Sequence, residues 1–385
     1  MNIVHVLAAV SPDGGYGGPT TVAMNQCAAL REAGHEVTLV TGVLGYHQPP
    51  AEACGQLIRP FPATLLSRRV GYATVYARGM RAWLRRHANQ FDVAHIHISR
   101  DLVTMPAAGA IAASGVPYVV QPHGMIIPSE NPAAPLIDAV ATRRLLGRAQ
   151  RVLVLNDRER DDIGMVMGRA LPTETVSNGV PEHMSPPSEL SASAMPEVLF
   201  MARLHPRKRP EVFVRAAIEL LSVGTRARFT VIGPDGGMQR EVDDLIAASG
   251  FGPDRLRREP ALAPDHTMER LSAASVYVLP AHREPFGMTV VESLSVQTPV
   301  VICRDGGLAD FVAVNDCGRV VDGTVRGLTS AITGMLADPV ELSAMGRRGA
   351  DAVRAEFGMR RVADQLADIY TASMAVSGDT TGVVR

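Results

Sequence analysis

Short apolar runs alternate with helical patterns along this chain, and that alternation narrows the fold more than any other feature. In the first half the runs are 2–10, 36–41, 92–98, 116–121 and 151–156. In the second half they are 197–201, 227–233, 276–280 and 299–303. Runs of this length, apolar with little alternation, read as strands buried on both faces. Strands separated by helices predict parallel, doubly wound α/β sheets. With 385 residues the chain suits two domains. Residues 182–196 are rich in Pro, Ser and Glu and lack apolar periodicity, so they read as the linker. The expected domains are therefore 1–181 and 197–358, two Rossmann-like halves with ligands at the carboxyl ends of their strands.

The turns after these strands hold the polar residues that could do chemistry. Between the first strand and a helix capped by Thr20 or Thr21 lies Ser11-Pro-Asp-Gly-Gly-Tyr-Gly-Gly-Pro19. Gly17 and Gly18 there would let backbone amides approach a phosphate, although a plain surface turn uses glycine too. His123 follows the strand 116–121 and precedes Gly124, at a position that faces a ligand crevice. His95 and His97 end the strand 92–98, and satisfied structural histidines are the expectation there. After the strand 197–201 come Arg203 and Lys208, able to converge on a diphosphate or to form a surface basic cluster. Pro210 then opens a helix.

The densest stretch is 283–296. A strand runs into Glu284-Pro-Phe-Gly-Met-Thr-Val-Val-Glu292, and a helix is expected from about Met288. Glu284 precedes the helix and Glu292 sits about one turn inside it. Between them the free amides of Gly287, Met288 and Thr289 favour an anion. Carboxylate, anion site and carboxylate in a row suit a sugar, a diphosphate and a ribose; two solvated helix-start glutamates would look alike.

Composition removes other classes. The net charge of −1 implies no polyanion partner, so no nucleic acid. The four cysteines have no paired spacing, which points to a reducing compartment and no zinc. No signal-peptide pattern and no apolar run of about 18 residues appears, so a cytoplasmic protein is expected. Of 38 basic residues only Lys208 is lysine, as if a compact point charge were needed there. A helix is read over 70–87 with Arg78, Arg81, Arg85 and Arg86 in its second half; with the arginines of 143–151 it allows contact with the inner membrane face. Residues 340–354 and 359–375 read as helices, and the tail from Ser377 as disordered.

In their order and combined spacing these motifs resemble glycosyltransferase family 4, retaining enzymes of the GT-B fold. The resemblance rests on Gly14–Gly18, His123-Gly124, Asn178-Gly179-Val180, Arg203 with Lys208, Gly233, the Glu-x7-Glu pair Glu284 and Glu292, and Gly306-Gly307-Leu308. It implies two domains facing a central cleft, the first binding the acceptor and the second the donor. It also implies a last helix, about 359–375, that crosses back onto the first domain. By the same resemblance Arg203 and Lys208 hold the donor diphosphate, helped by amides at Gly287–Thr289 and near Gly17 and Gly18. Glu292 looks like the ribose ligand, Glu284 the ligand of sugar hydroxyls, and His123 a donor-sugar contact. Pro260-Ala261-Leu262 and Ala281 depart from the family pattern near the base pocket.

The implied reaction moves a sugar, with retention, from a UDP- or GDP-type nucleotide sugar to an acceptor sugar, glycolipid or small aglycone. No cofactor is expected. The chain has no Asp-x-Asp, so metal-independent transfer is expected too. A nucleotide-sugar epimerase, a sugar phosphorylase or a non-catalytic sugar-binding protein are the alternatives. The single lysine sits at a diphosphate position, which speaks against a pyridoxal-phosphate phosphorylase. A nicotinamide dehydrogenase is disfavoured by the lack of an intact G-x-G-x-x-G after a strand.

Overall fold

The computed structural model describes residues 1–12, 17–48, 50–53, 56–67, 70–129, 131–181, 195–263 and 266–379. The chain forms two compact units, Met1–Gly179 with Met359–Arg385, and Val180–Gly358. Most of the sequence linker, residues 182–194, lies outside the described residues, as do Gly14, Gly15 and Tyr16 of the glycine-rich turn.

In unit 1 the elements run β1 (Asn2–Val10), α1 (Gly17–Glu32), β2 (Glu36–Val43), β3 (Glu52–Ala53), β4 (Gln56–Leu65), β5 (Val75–Ala77), α2 (Met80–His87), β6 (Val93–Ile96), α3 (Thr104–Ser114), β7 (Tyr118–Val120), α4 (Ala134–Ile137), α5 (Arg143–Leu146), β8 (Arg151–Val154), α6 (Asp157–Met167) and β9 (Thr173–Thr175). The sheet order is β3-β4-β2-β1-β6-β7-β8-β9, with β5 paired to β4. Only the β3–β4 and β4–β5 pairs are antiparallel. The order reverses on either side of β1, so the carboxyl ends of β1 and β6 mark a switch point, where ligands bind in such sheets.

Unit 2 runs β10 (Glu197–Met201), α7 (Pro210–Ser222), β11 (Arg228–Ile232), α8 (Gln239–Ala248), β12 (Leu256–Glu259), α9 (Thr267–Ser272), β13 (Val276–Leu279), α10 (Met288–Ser295), β14 (Val300–Cys303), α11 (Ala309–Val314), β15 (Gly318–Val321), α12 (Val325–Leu336) and α13 (Pro339–Phe357). Its six strands are all parallel, in the order β12-β11-β10-β13-β14-β15. Every residue of β10 is buried, as the apolar run Val198–Met201 requires, and Glu197 is buried with them.

The last helix, α14 (Met359–Asp379), belongs to unit 1. Its Val362, Leu366, Ile369 and Tyr370 pack with Ile3, Leu30, Val93, Val119 and Leu153, and so close one face of the sheet. Among the described residues no helix is long and apolar enough to cross a membrane.

Several expectations need correction. The helix read over 70–87 is a 3-10 turn at Gly71–Thr74, then β5, then α2. Gly71 and Gly79 stand at φ 78° and 85°, in the left-handed region that interrupts a helix. Helix α1 starts at Gly17, so Thr20 and Thr21 lie inside it; Pro19 fits a first turn, where its missing N–H costs nothing. The first half closes on β9 at 173–175, and Val180 is bridged to Gly358. Helix α14 continues through 377–379, where disorder was expected.

Candidate active site

In unit 2 two strand-to-helix turns meet. The first follows β10. Leu204 is pinned by a bridge to Asp235, and Pro206–Lys208 form a single 3-10 turn. Arg209 follows at φ 56°, which turns the chain into α7 with Pro210 at N1. The second turn follows β13 and carries Glu284. The turns are tied by the His282 N–H donating to the Arg207 carbonyl at 2.8 Å. They are also tied by an ion pair between Lys208 Nζ and Glu284 Oε2 at 2.5 Å, with side chains 19% and 13% exposed. The sequence separates these two residues by 76 positions. Gly307 closes the third side, its N–H donating to the Glu284 carbonyl at 2.8 Å.

Glycines set this geometry where a side chain has no room. A Cβ on Gly233 would fall 1.9 Å from the Ala202 carbonyl oxygen, at a φ of 153°. A Cβ on Gly236 would lie 2.8 Å from Arg203 Cγ. Arg203 is exposed, and its guanidinium draws no hydrogen bond or ion pair among the described residues. Gly287 precedes α10 at φ 79° and presents the free amides of Met288 and Thr289.

Glu292 sits on α10, half-buried, and burial pushes its carboxyl up to about 7. It is therefore partly protonated near neutral pH and can both donate and accept. Tyr277, buried beneath, donates to the Met201 carbonyl at 3.1 Å and interacts with Thr289. Asp305 accepts from the Arg283 N–H at 3.0 Å and contacts His282 Nδ1 at 2.5 Å. It thereby fixes the loop that carries Glu284.

In unit 1 the polar cluster lies past the carboxyl ends of β6 and β7. His123 follows β7 at φ 54°, left-handed backbone that few non-glycine residues adopt. The turn is held by Glu159, which accepts from the N–H groups of Gly124 at 2.5 Å and Leu155 at 2.7 Å. Asn156 caps α6 and accepts from the Glu159 N–H at 2.9 Å. His123 Nε2 lies 2.8 Å from His97 Nδ1, with the rings stacked at 5.1 Å. Its Nδ1 is buried without a partner, and burial brings its pKa down to about 3. Gly18 is exposed, and a Cβ there would meet nothing within 4 Å, so the protein's own packing does not demand glycine.

The structure thus brings Lys208 and Glu284 into contact, places Arg203, Gly287, Met288, Thr289 and Glu292 on the turns around them, and puts His123, Gly17 and Gly18 in unit 1. Sequence reasoning missed Glu159, Asp305 and Gly236, which position the others. Their signals are local, a cap residue or a turn carboxylate, and do not stand out in sequence. It also missed His5 and Tyr370, which join His95 and His97 in one buried group.

Two sequence families match the chain. Residues 17–179 match the glycosyl transferase 4-like domain, and 185–352 match the glycosyl transferases group 1. The chain belongs to glycosyltransferase family 4. The D-inositol 3-phosphate glycosyltransferase 1 of Catenulispora acidiphila is 27% identical over 94% of this chain and 93% of that one. That of Nocardia farcinica is 27% identical over 96% of this chain and 88% of its own. The sucrose-phosphate synthase of Thermosynechococcus elongatus has a similar structure, with a TM-score of 0.76, 20% identity and coverage of 98% of this chain and 100% of that one. HepE of Anabaena, solved with UDP-glucose, has a TM-score of 0.74 at 17% identity, over 97% of this chain and 100% of its own. The glycosyltransferase has the GT-B fold of these neighbours, and its reaction is glycosyl transfer from a nucleotide sugar.

Proposed function

We propose that this glycosyltransferase uses a UDP-sugar, retains the configuration at the anomeric carbon and needs no metal ion. The observation that carries the reading is the contact of Lys208 with Glu284 beside the free amides of α10. It sets a point charge, an anion site and a sugar-binding carboxylate side by side. Lys208 and Arg203 take the diphosphate, with the amides of Gly287–Thr289. These fixed charges oppose the negative charge that grows on the leaving diphosphate, and no metal is then required. Glu292 holds the ribose, and its raised pKa lowers the repulsion between its carboxyl and the phosphates. Glu284 holds hydroxyls of the donor sugar.

When the anomeric carbon–oxygen bond breaks, the carbon gains oxocarbenium character. The acceptor hydroxyl attacks from the face the diphosphate leaves, and its proton passes to the departing phosphate oxygen. No carboxylate base is needed, so Glu284 is a ligand rather than a nucleophile. Unit 1 takes the acceptor and unit 2 the donor. The curated relatives make D-inositol 3-phosphate the first acceptor to try, ahead of other sugars, glycolipids and small aglycones.

The test is the thermal shift of the full chain with UDP, GDP, ADP and TDP, with and without magnesium. A ligand at about 100 times its dissociation constant adds roughly 2.7 kcal/mol. UDP should raise the melting temperature equally with and without metal, and Lys208→Ala should abolish the effect. A flat response to all four nucleotides would overturn the donor assignment.

A further inference from the structure

Beneath His123 runs a chain of buried rings that the transfer reaction, as described, does not use. His123 Nε2 meets His97 Nδ1 at 2.8 Å, and His97 Nε2 meets His5 Nδ1 at 3.1 Å. His5 Nε2 meets the Tyr370 hydroxyl at 3.2 Å, and that hydroxyl meets His95 Nδ1 at 2.7 Å. The residues come from β1, β6, the segments after β6 and β7, and α14. His5, His95 and His97 are at most 1% exposed, and Tyr370 is fully buried.

We propose that Tyr370, His5 and His97 are positioning residues that fix the tautomer of His123, so that its free Nδ1 presents a lone pair to a sugar hydroxyl. The assignment of that hydroxyl rests on the sugar contact that the family resemblance implies for His123.

The argument is one of proton counting. Burial holds all four imidazoles neutral, with mutual repulsion adding to it at His5, His95 and His97, so each carries one proton. Burial keeps the Tyr370 phenol protonated. A neutral imidazole that donates from one nitrogen accepts at the other. The chain therefore has two registers, and all its rings switch together. In one, Tyr370 donates to His95, accepts from His5, and every ring down to His123 carries its proton on Nε2. In the other, Tyr370 donates to His5, and His123 carries its proton on Nδ1.

The distances choose the first. At 2.7 Å the contact with His95 has the length of an O–H donor bond, while 3.2 Å to His5 suits a longer N–H···O bond. No hydrogen bond closes on His95 Nε2. With Nδ1 accepting from Tyr370, the proton of His95 sits on Nε2. A metal at His5, His95 and His97 is the rival arrangement, since candidate ligand atoms lie within 4.8 Å of one another. It would have to break the bonds that already join His5, His97 and Tyr370.

The experiment is long-range proton–nitrogen NMR of the full chain with nitrogen-15 histidine, at pH 7 and without substrate. His5, His97 and His123 should all show the Nε2–H tautomer. Tyr370→Phe removes one oxygen and keeps the ring packing. It should leave the melting temperature within a few degrees, populate the Nδ1–H form of His123, and lower kcat roughly three- to tenfold with the donor KM unchanged. The proposal is overturned by Nδ1–H on His123 in the native chain, by stoichiometric bound metal, or by a Tyr370→Phe variant with unchanged tautomers. If that variant fails to fold, the native spectrum alone decides. The spectrum needs no nucleotide, so failure of the donor assignment and failure of the relay are read separately.

Discussion

One buried polar cluster in each unit makes a contrast, although unit 1 also buries Glu159 and the ion pair of Arg100 with Asp138. Unit 1 packs neutral rings, His5, His95, His97, His123 and Tyr370, into a hydrogen-bonded chain. Unit 2 buries charge. Glu197 at the start of β10 accepts from Arg270 at 2.8 and 2.9 Å and from Thr230 at 2.6 Å. Arg270 and Thr230 thus hold the Glu197 carboxyl below the usual carboxylate range, against the cost of burying it. A neutral chain can shift its protons without creating charge, whereas a paired ion is fixed in sign.

Breaking the ion cluster should have the largest effect. Glu197→Ala leaves Arg270 without its main partner and should cost about 3–5 kcal/mol of stability, read from urea unfolding of the full chain. A loss under about 1 kcal/mol would mean that unit 2 does not depend on its buried charge. Lys208→Ala comes next. It should lower kcat/KM by about 10²–10³ with the circular dichroism spectrum unchanged, as for loss of one fixed transition-state donor. Near-normal turnover would remove the diphosphate clamp.

Acid should separate the units. A histidine whose folded pKa lies below its free value binds its proton on unfolding, so stability falls as pH drops below about 6.5. Each of the four in unit 1 contributes up to about 1.4 kcal/mol per pH unit, and His123 does so until about pH 3. Glu197, with its pKa lowered, begins to lose its contribution only as pH falls below about 4.5. Glu292 runs the other way: its contribution is complete below the ordinary carboxylate range and fades as pH rises through about 7. Hydrogen exchange at pH 5.5 against 7.5 should therefore show β1, β6 and β7 loosening before β10 and β13. The reverse order would contradict the contrast. The smallest effect is expected for Glu292→Gln, which keeps the shape and fixes the group neutral. Donor affinity should change less than about tenfold, and its pH dependence around 7 should flatten.

Legibility in the sequence followed the same physics. β10 and β13 were readable because their residues are buried on both faces and turn residues bound them. β4 was not, because Pro60 and Pro62 argue against a strand. They still serve as acceptors, as where the Arg78 N–H donates to the Pro62 carbonyl at 2.9 Å. At the site, Glu284, Glu292, Arg203 and Lys208 stood out by motif, since helix-start geometry gives their spacing meaning. The meeting of Lys208 with Glu284 depends on β10 and β13 pairing side by side, which no local pattern reveals. The ring chain was half visible, as His95 and His97. His5 looked like any residue of a buried strand, and Tyr370 lies 273 positions beyond His97 in a helix whose return rested on the resemblance alone.

That return has a consequence for synthesis. Unit 1 is begun before unit 2, yet α14 carries the residues that cover Ile3, Val93, Val119 and Leu153, and it leaves the ribosome after unit 2. Unit 2 is continuous and can finish folding while unit 1 still waits with an apolar sheet face open. At about 5–20 residues per second, the wait spans the translation of unit 2 and lasts on the order of ten seconds or more. Through that interval a nascent-chain chaperone has a target on the half that emerged first. A ribosome stalled anywhere before α14 holds a chain that is half finished at its beginning.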